Sequence, residues 1–510
     1  MLPVVHSAPT AQLGMGWAPA FPTLPLPAGA PALDGAIACL EGWSRGSYSS
    51  TRSARARAIL AALEPRVLAA ARASADAGET ISSFDSLLRQ LGVGTHLFAS
   101  LAADPAALDV LLQLVTRAPR LAATLANRPD VFDALIAREP AIDAMSAAEI
   151  TRALMALVSR CTTDADVLRC VQQFARKHQF LIGARAALGW MPLGRTEDAF
   201  SRLALVVVQT LAALAERRLQ KRNGRVPGSD WALVALGKFG AGELTATSDL
   251  DLMLVYEVAD GERSGNATQY FNKLAQDIIA VLGAPAGDGA LFETDFRLRP
   301  WGKKGPIATR LATLGHYLAR DAWTYERMAM TRARVVSGSP RFAAAIDAVL
   351  REALRRPYAD GALRTDVLDM RVLMHSAANA DNPWDLKHVR GGLIDIEFIA
   401  QYLMLQGAQT GTSLLPFRAA TADALRQLHG AELLSAHDLA TLADAHATFK
   451  DVLQATRLAC LPGALPETMS HAFAQALPAM VGEADLAALE GRLARLQSSV
   501  RDTFARLISA

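Results

Sequence analysis

The chain has 510 residues, enough for two to four domains and a sizeable buried core. Its net charge of +2 at pH 7 argues against broad binding to a phosphate backbone, and 51% hydrophobic content with 6% aromatics fits a helix-rich soluble protein. The four cysteines (Cys39, Cys161, Cys170, Cys460) show no metal-ligand spacing and read as reduced, buried thiols of a cytoplasmic protein.

Residues 1–32 carry seven prolines and neither Lys nor Arg, so they read as a disordered or extended leader rather than a signal peptide. From Leu33 to Leu219 the pattern is helical. Asp104-Pro105 and Asn127-Arg128-Pro129-Asp130 look like helix starts, each with a cap followed by proline. Ser83 to Leu91, Ala106 to Val115 and Val131 to Ile136 carry apolar residues three and four apart, which predicts amphipathic helices packed on one another. The most apolar run, Leu203 to Ala215, falls short of the roughly 20 residues of a membrane span and contains Gln209 and Thr210. No membrane segment is expected. Thr196-Glu197-Asp198 is expected to cap the helix that leads into the next region and ends near Asn223-Gly224.

A change of pattern follows. Ala232 to Leu236 reads as a buried strand, succeeded by a glycine-punctuated turn (Gly237, Lys238, Gly240, Gly242). A second strand, Leu250 to Tyr256, is entered through Ser248-Asp249-Leu250-Asp251. Alternation puts Asp249 and Asp251 on one face and Leu250, Leu252 and Leu254 on the other. Two bare carboxylates about 4 Å apart repel by about 4 kcal/mol at an effective dielectric of 20, so such a pair holds a proton or binds cations. Backbone N–H groups of the glycine turn make a divalent metal beside a phosphate the simplest arrangement. A solvated strand end with two surface aspartates is the alternative.

Ala267 to Leu282 predicts a helix with Phe271, Leu274, Ile278, Ile279 and Leu282 on one face. Gly283 to Gly289 makes a turn. In Leu291 to Gly305 a further strand is expected, with Glu293, Asp295, Arg297 and Arg299 on one face and Pro300 as its stop. An acid followed by two arginines suits a metal-bound polyphosphate; an edge strand solvated by its own ion pairs is the other reading. Lys303 and Lys304 then screen a triphosphate, bind an acidic partner protein, or form a solvated turn. Trp323 to Arg334 reads as a helix from which Arg334 either reaches a phosphate or lies on the surface. The remainder, Arg341 to Ala510, is helical, with a turn at Arg390-Gly391-Gly392. Asp395 and Glu397 fall in the first turns of the following helix, where its dipole is reason enough for acids.

Leu236-Gly237-Lys238, then Asp249-Leu250-Asp251-Leu252 and a lone acid on a later strand, resembles the DNA polymerase β-type nucleotidyltransferase pattern. The strings GKFGAGEL, TSDLDL, DFRLRPWGKKGP, WTYERMAMTRARVV and GGLIDIEFIAQYL, in this order across Gly237 to Leu403, are very similar to glutamine synthetase adenylyltransferase. Ala241 stands where that family usually has a second glycine, and Gly242 is expected to take over its backbone role. The resemblance implies an α+β, predominantly α-helical chain: a helical domain at 33–222, a polymerase β-like core with a mixed sheet at 223–340, and a C-terminal helical bundle at 341–510. It also implies Asp249, Asp251 and Asp295 as catalytic ligands of two Mg²⁺ ions, with Asp295 as general base. Gly237, Lys238, Gly240 and Ser248 would seat the ATP phosphates, and Arg297 and Arg299 would stabilise the departing pyrophosphate.

The implied reaction is transfer of AMP from ATP to a tyrosine of glutamine synthetase, regulating nitrogen assimilation. A PII-type signalling protein is the implied regulator, with neither nucleic acid nor membrane as partner. The family has two homologous halves, and Gly391 to Phe398 resembles the half that adds AMP. Since no second copy of the core is seen, the chain is either one half of a longer protein or a single-module relative. Three other activities stay open: phosphorolytic removal of AMP, transfer to another acceptor, and non-catalytic regulation by a helical adaptor.

Overall fold

The computed structural model describes residues 34–74, 76–92, 95–139, 142–259, 264–285, 289–378, 382–409, 420–459, 469 and 471–509. The leader at 1–32 and Cys460 lie outside the described residues.

Helices begin where local chemistry satisfies their first N–H groups. The Asp104 carboxylate accepts from the Ala106 amide at 2.8 Å ahead of Pro105, which opens the helix Pro105–Arg117. Ser146 and Glu149 form a reciprocal capping box at the start of Ala147–Val158. The helix Asp130–Ile136 starts directly behind Pro129. The expected cap at Thr196 needs correcting: Thr196 is already the first helical residue of Thr196–Asn223, and its hydroxyl donates back to the Leu193 carbonyl at 2.6 Å.

Apolar side chains gather into two cores. One is built from the helices between residues 39 and 136; the other runs from Ile142 to Ile508 and encloses the sheet. The helix Asp164–Ala187 is their common wall, giving Phe180, Leu181 and Ala184 to the first and Val171, Phe174 and Ile182 to the second. The helix Thr196–Asn223, with the turn Leu193–Arg195 before it, is long and apolar enough to cross a membrane by length and composition. The run within it was expected to be too short, because the pattern was judged on Leu203 to Ala215 alone. Of its most apolar window, 67% is buried inside the protein, as a core helix requires.

The small mixed sheet has five strands: β1 (Asp230–Ala235), β2 (Leu250–Glu257), β3 (Thr294–Asp295), β4 (Ala308–Arg310) and β5 (Arg334–Val335). β1 runs antiparallel to both β2 and β5. β2 has β1 on one edge; on its other edge β3 pairs with its beginning and β4 with its far end, both parallel. Parallel pairing needs a crossover, supplied by the helix Ser264–Leu282. Met253 and Val255, on the same face as Asp251, are buried too, so β2 is covered on both sides beyond its first turn of polar residues.

The expected strand through Arg299 is confined to the two residues of β3, because β2 pairs with it only through Leu250 and Asp251 and gives the rest of that edge, from Leu254 on, to β4. The helix expected from Trp323 to Arg334 stops earlier. It spans Thr324–Met330, and Arg334 belongs to β5.

After the sheet, Gly391 has φ +83, and a Cβ there would lie 2.0 Å from the Gln497 carbonyl oxygen, so only glycine fits this turn. Asp395 is explained by more than a helix dipole: it is buried in an ion pair with Arg371 and also accepts from the Gly391 amide. Arg371 donates to the carbonyls of His388 and Val389 at 2.9 Å, so one guanidinium ties helix Ala362–Ala378 to the turn before helix Leu393–Gln409. Removing one member of a buried pair leaves a charge with no compensation. Asp395→Ala is therefore expected to cost about 3–5 kcal/mol of unfolding free energy, read as a lower urea midpoint, and Asp395→Asn less than that.

Candidate active site

β1 ends at Ala235; the amide of the next residue, Leu236, donates to the Asp251 carbonyl at 2.9 Å, and the chain turns at once into the short helix Gly237–Ala241. The expected glycine turn is thus one helical turn. Gly237 has φ +51, and a Cβ on it would come within 2.2 Å of an Asp251 carboxylate oxygen. At Gly240 a Cβ would strike the Arg332 carbonyl oxygen at 2.1 Å. Gly237 thus lets the chain pass beneath Asp251, and Gly240 lets it pack against the Arg332 backbone. Gly242, in the left-handed region at φ +78, closes the helix where Ala241 could not.

Asp251 and Asp295 are direct partners in the parallel β2–β3 pairing, which points their side chains the same way. Asp249 lies just ahead of β2. One carboxylate oxygen from each of the three lies within 4.8 Å of the others. Burial, then the negative charges of Asp249 and Asp295, push the Asp251 carboxyl up to about 7. Burial and Asp249 also raise Glu293. The site stores repulsion that a cation relieves, and three hard carboxylate oxygens at this spacing fit a divalent ion such as Mg²⁺.

Not every expected phosphate contact is aimed at a ligand. Arg297 clasps Asp295, its backbone amide and Nε each donating at 2.7 Å, although its side chain is 62% exposed. Arg299 donates to the Phe296 carbonyl, to Pro306 at 2.9 Å and to Gly305 at 3.4 Å, fastening the loop after β3. Ser248 accepts from the Thr245 amide at 3.0 Å and meets its hydroxyl at 2.8 Å. Arg334 donates to the Phe239 carbonyl at 3.0 Å behind the short helix.

Lys238, on that short helix, lies close enough to Arg457 and Lys387 to feel both charges. Burial first, then the charges of Arg457 and Lys387, push its ammonium down to about 7. Lys387 and Arg457 carry no local sequence signal. Lys387 lies in the turn before helix Leu393–Gln409 and draws Asp251 downward; Arg457 comes from helix Ala436–Ala459 and faces Asp249. The Arg457 guanidinium donates to the hydroxyls of Thr245 at 2.7 Å and Thr247 at 3.2 Å, while its buried Nε has no hydrogen-bond partner among the described residues. Among the described residues neither Lys238 nor Lys387 forms an ion pair. Three carboxylates and three cations thus share one neighbourhood.

Glu243, just past Gly242, anchors this arrangement. It is buried, pairs with Arg332, accepts from the Thr421 amide at 2.7 Å, and lies 3.7 Å from Lys450. Arg332 also holds Glu397 at 3.0 Å, so this acid too has a specific partner beyond the helix dipole. Burial works to raise Glu243, yet Arg332, His446 and Lys450 together hold it at about 2. Among the cysteines, Cys39 is buried while Cys161 and Cys170 are half-buried, and none of the three is disulfide-bonded.

A family model described as glutamate-ammonia ligase adenylyltransferase matches residues 108–349, and one described as GlnD PII-uridylyltransferase matches residues 368–508. The chain is 37% identical over 474 residues to the bifunctional glutamine synthetase adenylyltransferase/adenylyl-removing enzyme of Brucella suis biovar 1 (strain 1330), covering 91% of the chain and 48% of that protein. The enzymes of the same name from Agrobacterium fabrum and Rhizobium meliloti are each 34% identical over 475 and 476 residues, again with 48% of their length covered. The chain spans about half the length of the curated relatives it matches. The chain is thus similar to the glutamine synthetase adenylyltransferases over 91% of its length, and residues 108–349 match that family's model.

The raised Asp251 gives a signed expectation. Between the ordinary carboxylate range and about 7 the folded state holds a proton that the unfolded chain has lost, so metal-free stability falls as pH rises through that window. Above it the full cost of the ionised group is present. Thermal melts at pH 8 should therefore show Asp251→Asn melting higher than the wild type without metal. Added Mg²⁺ should raise the wild-type midpoint, more at pH 8 than at pH 5, and leave Asp251→Asn nearly unmoved.

Proposed function

We propose that the chain transfers AMP from Mg·ATP to a tyrosine hydroxyl of glutamine synthetase and releases pyrophosphate. The observation that carries the reading is the facing of two charge clusters: Asp249, Asp251 and Asp295 within 4.8 Å of one another, with Lys238, Lys387 and Arg457 beside them. A metal-bound polyphosphate satisfies both sets at once, its cation among the acids and its oxygens among the bases. The relatives' names give the nucleotide and the acceptor protein.

In this scheme Asp249, Asp251 and Asp295 hold the metal ions. Bound there, the metal neutralises charge on the triphosphate and lowers the pKa of the accepting hydroxyl. Lys238 and Lys387 grip the β- and γ-phosphates, and Arg457 fixes the Thr245–Ser248 turn over them. Arg297, exposed enough to swing, leaves Asp295 for the phosphates; Asp295 then takes the tyrosine proton. The new bond joins the tyrosine oxygen to the α-phosphorus, and the bond from that phosphorus to the β-bridging oxygen breaks. Regulation through a PII-type protein is proposed for residues 368–508 on the description of the second matching family model.

A second reading has a specific observation behind it, since the relatives' names include adenylyl removal. Incubation of the chain with Mg·ATP and unmodified glutamine synthetase should yield an AMP-tyrosine peptide by mass spectrometry. Asp251→Asn should lower its rate by about 100-fold or more, the scale of losing a preorganised electrostatic contact. Absence of the peptide, together with ADP formed from adenylylated glutamine synthetase and orthophosphate, would assign the chain to removal.

A further inference from the structure

Large aromatics are exposed on the loop leaving β3 and at the start of the helix Thr324–Met330. Trp301 is 50% exposed, Trp323 69% and Tyr325 48%. Local bonds join them into one surface. The Trp301 ring packs edge-on against Tyr317 at 5.3 Å, and the Tyr317 hydroxyl donates to Glu326 at 2.8 Å. The same Glu326 oxygen accepts from the Trp323 amide at 2.9 Å, starting the helix that carries Tyr325. Tyr317 and Glu326 are buried, so the ledge rests on a satisfied polar pair.

This ledge is held rigidly and at a cost. Trp301 sits at φ +59, a left-handed conformation that disfavours a side-chain-bearing residue by about 1–2 kcal/mol. The three carbonyl contacts of Arg299 close the loop, and a Cβ at Gly305 would meet the Pro300 carbonyl oxygen at 2.3 Å. The strain presents an indole to solvent when a polar residue would serve a mere turn as well. Lys303, Lys304 and Arg320 are exposed around it, against Asp321 as the nearest exposed acid in sequence.

We propose that this aromatic ledge docks the protein acceptor, gripping an acidic exposed loop that carries the accepting hydroxyl. The proposal rests on the transfer reading above. Aromatic anchors with a charged rim are the composition of a protein interface core, and the lysine excess selects a partner of opposite sign. Continuity with Asp295 through the same loop sets the docked partner's hydroxyl beside the acids. None of the ledge residues belongs to the proposed metal or phosphate contacts, so docking and chemistry are separable.

Glutamine synthetase is the probe. Trp323→Ala, and separately the double variant Lys303→Glu/Lys304→Glu, should each raise the KM for glutamine synthetase about tenfold, the scale of losing an interface anchor. Both should leave the KM for ATP and the kcat at saturating acceptor unchanged. The charge reversal should also flatten the salt dependence expected of the wild type. Binding of glutamine synthetase to the immobilised chain, measured without ATP, keeps the two readings apart. Wild-type binding without AMP transfer overturns the transfer reading and leaves the ledge standing. Variants that bind like the wild type, with unchanged acceptor KM, overturn the ledge. Sedimentation with phosphatidylserine–phosphatidylcholine vesicles that Trp323→Ala abolishes, with acceptor KM unmoved, assigns the ledge to a membrane surface and likewise overturns the proposal.

Discussion

The buried Glu243 carboxylate is the point on which the rest of the structure turns. Arg332, arriving just before β5, pairs with it and with Glu397 from helix Leu393–Gln409. Lys450, from helix Ala436–Ala459, pairs with Glu197 at the start of Thr196–Asn223 and stands 3.7 Å from Glu243. The Thr421 amide and hydroxyl complete its shell. Three separate parts of the chain therefore converge on one charge taken out of water. Such a network is worth little as net stability compared with apolar packing, but each member becomes costly to lose once the others are in place. It also fixes the position of the segment between Gly242 and Asp249, and so of the acids behind it.

Above this anchor the site is arranged against its own electrostatics. β2 and β3 pair so that Asp251 faces Asp295, and Gly237 is stripped to hydrogen so that the Asp251 carboxylate can lie over it. Packing of Met253, Val255 and the helix Ser264–Leu282 around β2 keeps the strand from twisting its acids apart. Without a ligand the molecule limits the repulsion in two ways: burial and neighbouring charge favour a proton on Asp251, and Arg297 covers Asp295. Both are reversible. A site that relaxes by a proton and a swinging arginine is ready to exchange them for a cation and a phosphate.

What could be read from the sequence was what is local. Alternation in Leu250 to Tyr256 placed Asp251 opposite the leucines, and Asp104-Pro105 announced a helix start, because period and capping are written within a few residues. The α+β, mostly helical architecture was implied by the family resemblance, and the same local patterns agree with it. Arg297 and Arg299 were assigned to one strand face with Glu293 and Asp295, yet β3 ends at Asp295 and both side chains turn back to the chain. Alternation says which residues share a face if a strand forms; it does not say whether a neighbour offers enough edge to pair with. Asp395 and Glu397 fit a helix dipole, but their partners, Arg371 and Arg332, lie on other elements. Lys387 and Arg457 were missed for the same reason, being far in sequence from Asp249 and joined to it only by tertiary packing.

That separation has a structural consequence of its own. The segment matching the adenylyltransferase family model holds the acids and Lys238, whereas Lys387 and Arg457 lie in the segment matching the uridylyltransferase model. Arg457 is tied to Thr245 and Thr247, and Lys450 stands 3.7 Å from Glu243, so helix Ala436–Ala459 is docked onto the loop that leads into the acids. A shift of helix Ala436–Ala459 relative to the Thr245–Ser248 turn would break the Arg457 hydrogen bonds to Thr245 and Thr247. A buried guanidinium stripped of those hydroxyls would be costly, which couples the helix to the turn. The same contacts that complete the site's positive side thus form a mechanical path by which events on the C-terminal helices reach Asp249 and Asp251.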